Sequence, residues 1–185
     1  MRILRGAVCG VVAAAVWAAQ QPLDQRVFAF AYDDVEMLGR AVSRDENWLA
    51  PGLALHLLNG GLFGATYALV APSLPGPAWL KGPLAAVAEN TALWPLVSGL
   101  DRFHPAREKI PALAGNRRAL AQATWRHLVF GLVLGELERR LRPTVAADGP
   151  TVVETVISQN GHGNIANASA PLVPTDPPPG SSPGR

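Results

Sequence analysis

Stretches without charged side chains dominate the first 142 residues of the chain. No charge occurs in 6–23 or in 49–80, and Glu89 is the only charged residue in 82–100. A helix that crosses a bilayer needs about 20 mostly apolar residues, because each residue advances the chain by about 1.5 Å. The pattern predicts an all-α integral membrane protein, a four-helix bundle formed by 1–142. The predicted spans are 3–19, 49–71, 80–100 and 119–135.

The segments outside the predicted spans are polar. The connector 24–47 has apolar residues at intervals of three, four and seven, which favours a helix that lies in the membrane interface or continues the first span. Its acidic residues Asp33, Asp34 and Glu36 are expected to be solvated. Residues 143–185 contain eight of the 17 prolines and end in a run of Pro, Gly and Ser, which predicts a disordered tail.

The hydrophobic part of the chain repeats itself. The second and fourth segments align on a histidine, a leucine and two glycines, and the first and third align on a tryptophan, a leucine and an aspartate. The main matched pairs are His56 with His127, Gly60 with Gly131, Gly64 with Gly135, Trp17 with Trp94, Leu23 with Leu100 and Asp24 with Asp101. This predicts two related helical hairpins, a parallel internal repeat. A chance match is the alternative, because Gly, Ala and Leu dominate these segments.

The N-terminus and the membrane orientation allow two interpretations each. Arg2 and Arg5 before an apolar run also fit a cleaved secretory signal, but a cleaved signal has no reason to resemble the third segment. Lysine and arginine number six on the side of the termini and eight on the other, so the positive-inside rule does not decide. Giving the terminal segments more weight predicts a cell-membrane protein with cytoplasmic termini.

The composition of the chain excludes some classes of partner and some kinds of functional site. Charged residues make up 16% of the chain, against about 25% in soluble domains. Sixteen Lys and Arg against 14 Asp and Glu give a net charge of +2, so no nucleic-acid partner is expected. Cys9 is the single cysteine, which excludes an internal disulfide framework. No phosphate-binding loop, dinucleotide fingerprint or zinc-protease motif occurs, and no cofactor, metal site or catalytic residue is predicted.

Two sets of glycines have the spacing of a helix-packing face. His, Gly and Gly at positions i, i+4 and i+8 stay on one side of a helix, and small residues four apart let another backbone approach closely. We expect this face to contact the other copy of the repeat or a second subunit. The predicted packing residues are Gly60, Gly64, Gly131 and Gly135.

Four polar residues within the predicted spans form the candidate site: His56, Glu89, Asn90 and His127. A carboxylate inside a membrane is costly unless it is paired, protonated or facing water, and His56, His127 and Arg126 are possible partners of Glu89. The two histidines fit a proton relay or metal ligands. We favour the simpler interpretation, in which each histidine hydrogen-bonds a backbone carbonyl or lies near the interface, because two histidines without a nearby carboxylate or thiolate make an incomplete site. Glu89 fits either a functional role or a structural one, as a protonated group in an interhelical hydrogen bond or on a helix that lies less deep.

Three functions follow from these features. The first is a non-catalytic membrane partner or assembly subunit, which would contact the lipid bilayer and either a second copy or another membrane protein. The second is a small transport or permeation module that uses the four polar residues. The third is a membrane enzyme without a recognisable motif. We rank the assembly subunit slightly ahead, since the four polar residues do not make a complete site.

Overall fold

The computed structural model describes residues 1–43 and 46–142, and the predicted tail, 143–185, lies outside the described residues. The described residues form helices and connecting loops, with no strand among them, so the all-helical prediction is confirmed. The α-helices are α1 (Arg2–Phe28), α2 (Asp34–Val42), α3 (Leu49–Val70), α4 (Ala78–Leu93), α5 (Val97–Phe103) and α6 (Arg117–Arg140). Short 3₁₀ turns, Glu46–Trp48 and Trp94–Leu96, precede α3 and α5.

The first helix is longer than the predicted span 3–19. It continues through Pro22 to Phe28 and ends where Ala29 adopts a left-handed conformation, with φ of 47°. Part of the predicted connector is therefore the last turn of α1. The chain then turns into α2, whose first turn is capped by the Asp33 side chain, which accepts a hydrogen bond from the Glu36 backbone N–H at 2.9 Å.

The third apolar segment, 80–100, is not one helix. Helix α4 ends at Leu93, a 3₁₀ turn follows, and α5 begins at Val97. Pro95 explains the break, since proline lacks the N–H that would continue the helix and its ring clashes with the preceding turn. Helix α4 has 16 residues, fewer than the roughly 20 of a helix that spans a bilayer alone.

Glycines bring two pairs of antiparallel helices into backbone contact. Gly10 of α1 lies against Gly60 of α3, where an added Cβ would stand 2.0 Å from the Gly60 carbonyl oxygen. Gly82 of α4 lies against Gly131 of α6, where an added Cβ would stand 2.1 Å from the Gly131 oxygen. Each pair packs at van der Waals distance of its backbones because no side chain intervenes.

Helix α1 also packs against α6 and joins the two pairs. At one end Arg5 forms an ion pair with Glu138, with 2.7 Å between its guanidinium nitrogen and the carboxylate oxygen. The Lys81 ammonium donates to the Ala71 carbonyl at 3.0 Å, and Arg2 donates to the Leu69 carbonyl at 3.1 Å. The start of α1, the loop between α3 and α4, and the end of α6 therefore lie at the same end of the molecule.

Two stretches of the described residues are long and apolar enough to cross a membrane: Arg2–Phe28 and Glu46–Val70. One third of the most apolar window of each is buried inside the protein, so most of the apolar surface faces outward. Large apolar side chains are exposed on all four longer helices, among them Leu4, Val8, Val12, Leu53, Leu58, Leu62, Leu84, Leu120, Leu128 and Leu132. These features are consistent with association with a membrane.

Candidate functional site

A cavity of about 150 Å³ lies among α1, α2, α3, α4 and α6. Its polar lining residues are Asp34, His56, Asn59, Glu89 and His127, and its aromatic ones are Trp17, Phe63 and Phe130. Three of the four polar residues singled out in the sequence, His56, Glu89 and His127, thus share one cavity. The fourth, Asn90, is buried between α4 and α6, where its amide donates to the Thr124 hydroxyl at 3.2 Å.

Glu89 and His127 lie side by side at the cavity wall, with 3.1 Å between the His127 Nε2 and the carboxyl Oε2. The His127 Nδ1 lies 2.7 Å from the Ala123 carbonyl oxygen. A carbonyl oxygen only accepts, so Nδ1 carries a proton. The imidazole is thereby held with Nε2 toward the Glu89 carboxyl.

His56 is bonded differently. Its Nε2 lies 3.1 Å from the Ala14 carbonyl oxygen of α1, and a carbonyl oxygen only accepts, so Nε2 carries a proton. The Trp17 ring stands between the two histidines, at centroid distances of 5.4 Å from His56 and 4.7 Å from His127, edge to face in both cases. One tryptophan from α1 thus contacts both histidines.

Trp17 is itself anchored by a carboxylate. Its indole N–H donates to Asp34 Oδ2 at 2.9 Å, and the Arg126 guanidinium donates to the same oxygen at 2.6 Å. The Tyr32 hydroxyl donates to the other oxygen of Asp34. Asp34 is buried and accepts hydrogen bonds from these three donors. It lies at the cavity wall as a group that only accepts, which is the role of an ionised carboxylate.

A buried charge cluster lies directly behind Asp34. Arg126, whose side chain is 0% exposed, makes a two-pronged contact with Asp24, at 2.7 Å from Nε and 2.6 Å from Nη2. Gln20 and Gln122 also donate to Asp24, both at 2.6 Å. Every partner of Asp24 donates, so this carboxyl also acts as the ionised form. One guanidinium and two carboxylates leave the cluster with a net charge of −1.

Tyr32 closes this cluster from the loop between α1 and α2. Its ring lies under the Arg126 guanidinium, 5.0 Å from centroid to carbon, and its backbone carbonyl accepts from Arg126 at 2.8 Å. Burial, and next the negative charge of Asp34, raise the pKa of the Tyr32 hydroxyl well above its ordinary value. The hydroxyl therefore remains a donor to Asp34 throughout the neutral range.

One expectation from the sequence is wrong: Asp34 is not solvated but 8% exposed, because α2 packs on α3 and its first residue is bonded to Trp17 and Arg126. Of the three possible partners of Glu89, His127 is the one beside it, and Arg126 bonds Asp24 and Asp34 instead. A lone arginine in an apolar segment requires a buried counter-ion. The sequence therefore indicates that a carboxylate is the partner of Arg126, but it does not identify the carboxylate.

The predicted packing glycines contact helices other than the expected ones. Gly60 and Gly64 lie against Gly6 and Gly10 of α1. Gly131 and Gly135 lie against Gly82 of α4. The two glycine faces therefore pack against α1 and α4 of the same chain, and they do not contact each other.

The arrangement is suited to holding a proton or a small solute. Among residues 1–43 and 46–142, no group of three or more His, Cys, Asp or Glu side chains is placed to hold a metal ion. The cavity instead offers the Glu89 carboxyl beside the His127 imidazole, the His56 ring and a carboxylate on Asp34. In comparisons with known proteins, no family, no curated protein and no solved structure matches the chain.

Proposed function

We propose that the protein is a small membrane-embedded transport or permeation module, and that the cavity is its solute site. The observation that carries the proposal is the pair of Glu89 and His127, whose carboxyl oxygen and Nε2 are 3.1 Å apart and which faces the same cavity as His56. An ionisable group at membrane depth is costly, and it is usually found on the path of an ion, a proton or a polar solute.

We further propose that α4 and α6 complete a four-span bundle with α1 and α3. The exposed apolar side chains of α4 and α6, such as Leu84 and Leu128, support contact with lipid on these helices too. On these helices Arg126 is buried in ion pairs, Glu89 is half-buried beside His127, and the other charged groups lie near the helix ends. The similar glycine contacts of the two helix pairs support an internal repeat.

Charge supports an orientation with the termini on the cytoplasmic side. The end that contains Arg2 and Lys81 carries six cationic side chains and two carboxylates, Glu136 and Glu138. The segments of the opposite end carry eight of each sign. The anionic lipids of the cytoplasmic leaflet attract the end with the excess of positive charge.

The assembly role, ranked first from the sequence, is the second candidate. It depended on glycine faces that were available to another subunit, and both faces are occupied by α1 and α4. What favours it is the extent of exposed apolar surface on the described helices, which a partner in the membrane would also cover. The polar cavity has no use in that role, and we therefore rank transport first.

Membrane insertion is tested by alkaline carbonate extraction of protein tagged at each end. Retention of both tags in the washed membranes is the expected result, because the outward apolar surface of α1 and α3 has no other cover in the described chain. Release of both tags contradicts a membrane protein. Loss of the N-terminal tag alone contradicts a retained first helix and with it the four-span bundle.

Transport is tested by uptake of radiolabelled urea, glycerol and tetramethylammonium into proteoliposomes. Valinomycin and internal potassium balance the charge of the cation. We expect at least one probe to enter faster than in protein-free vesicles, and Glu89→Gln to bring that rate back to the protein-free level. Glu136→Gln is the matched control, since Glu136 lies on the surface of α6 with Arg139 and Arg140. Rates equal to those of protein-free vesicles for all three probes contradict the proposal.

A further inference from the structure

We infer that the cavity selects a small organic cation of the ammonium type. This rests on the proposed function and specifies its substrate class. Three independent features of the cavity support it: the sign of the charge behind its wall, the aromatic side chains in its lining, and its volume.

The charge around the cavity is negative. Asp34 lies on the wall and belongs to the buried cluster of two carboxylates and one guanidinium. The Arg126 guanidinium is committed to Asp24, Asp34 and the Tyr32 carbonyl, and it does not line the cavity. Glu89, the other carboxyl in the lining, lies 3.1 Å from His127. An anion would therefore face carboxyl groups, whereas a cation is attracted.

The aromatic lining stabilises a cation that is poorly hydrated. Trp17, Phe63 and Phe130 all line the cavity, and Phe63 and Phe130 lie edge to face at 5.3 Å. A positive charge near an aromatic face gains about 2 kcal/mol when water is excluded. Aromatic groups together with carboxylates are the common surroundings of organic ammonium ligands, and a strongly hydrated metal ion gains less from them.

The volume limits the size of the cation. About 150 Å³ is similar to that of a protein cavity that accepts benzene. Tetramethylammonium, with about five heavy atoms, is within this limit. It carries a permanent charge and donates no hydrogen bond, so its binding reports on charge and aromatic contact alone. The neutral alcohol tert-butanol has the same branched shape and nearly the same size.

Calorimetric titration of the purified, detergent-solubilised full-length protein tests the inference. Tetramethylammonium chloride, tert-butanol and sodium chloride are titrated at constant ionic strength. We expect heat of binding for tetramethylammonium only. Phe63→Leu and Phe130→Leu each weaken the binding about tenfold, and the control Phe103→Leu leaves it unchanged. Phe103 is exposed on α5 and does not line the cavity.

The outcomes separate this inference from the proposed function. Equal binding of tert-butanol and tetramethylammonium, or unchanged binding in both cavity variants, overturns the cation class. If urea or glycerol then enters vesicles in a Glu89-dependent manner, transport stands and only the substrate class is wrong. If tetramethylammonium binds as expected and no probe enters vesicles, the cation class stands and transport is contradicted. The variant Asp34→Asn is unsuitable for the titration, because it also removes an anionic partner of Arg126.

Discussion

The helix pairs α1 with α3 and α4 with α6 are closed in the same way but carry different chemistry. In both pairs glycines bring antiparallel backbones into contact, at Gly10 with Gly60 and at Gly82 with Gly131. In both, one histidine lies a turn away from the glycines. The first histidine, His56, is bonded to a backbone carbonyl. The second, His127, is also bonded to a backbone carbonyl, that of Ala123, but its Nε2 lies 3.1 Å from the Glu89 carboxyl.

This difference separates the structural role of the two pairs from their chemical role. Both helices of the first pair are long and apolar enough to cross a membrane. They also line the cavity, and Trp17 of α1 contacts both histidines there. The second pair contains Glu89 and Arg126 within apolar surroundings. The buried charge of Arg126 is compensated by two carboxylates, Asp24 of α1 and Asp34 of α2. The glycine contacts thus hold each pair together, and the Glu89 side chain beside His127 gives the second pair its different chemistry.

The largest expected effect is on the contact that joins the two pairs. Arg126→Met leaves Asp24 and Asp34 buried without their cation, and breaking such a pair costs about 3–5 kcal/mol. Chemical unfolding in detergent measures the loss. Arg118→Met, at an exposed position of the same helix, is expected to change stability by less than about 0.5 kcal/mol. Equal effects of the two variants contradict the buried cluster.

The second expected effect tests whether the two pairs share one packing frame. Gly10→Ala and Gly82→Ala each place a Cβ at about 2 Å from a backbone oxygen, so the helices must separate, at a cost of about 1–3 kcal/mol. Gly99→Ala is the control, since no atom lies within 4 Å of the added Cβ. Thermal unfolding measures the three variants. A loss in only one of the two pairs contradicts the shared frame.

The smallest expected effect is the dependence of stability on alkaline pH. The folded-state pKa of Tyr32 is raised by burial and by Asp34, so above pH ~10 the unfolded chain loses this proton first. Stability is then lost by up to about 1.4 kcal/mol per pH unit as pH rises toward the folded-state pKa. Unfolding curves between pH 8 and 11 measure this slope, and Tyr32→Phe is expected to flatten it. The same slope in both proteins contradicts the burial of this hydroxyl beside Asp34.

The sequence predicted the helical segments better than their ends. Helix α3, Leu49–Val70, nearly coincides with the predicted span 49–71, because the segment is apolar throughout. Segment 80–100 contains Pro95, and a proline signals a possible break without fixing where the chain turns. The first helix continues past Asp24 because this carboxylate finds a buried partner on α6, which is a tertiary contact. Local pattern carries no information about such a partner.

The candidate site was predicted in part for the same reason. Glu89, His56 and His127 are polar residues in apolar segments, so the free-energy cost of placing a polar group inside a membrane was enough to identify them. Trp17, Asp24 and Asp34 were missed as site residues because indole and carboxylate groups near a segment end are compatible with the interface. The matched pair Asp24 and Asp101 also differs, since Asp101 accepts backbone N–H bonds from Leu113 and Ala114. The repeat therefore stays a prediction.

The central claim is that Glu89 makes His127 different from His56, and side-chain nitrogen NMR of ¹⁵N-histidine protein tests it directly. His104 is an internal reference: its Nε2 contacts the Met37 carbonyl and its Nδ1 accepts from Ala106. We predict one protonated and one bare nitrogen for His56 and His104. For His127 we predict a proton on Nδ1, and an Nε2 signal that changes in Glu89→Gln while the signals of the other histidines do not. A bare Nε2 in His127 that is indifferent to Glu89→Gln would contradict the account.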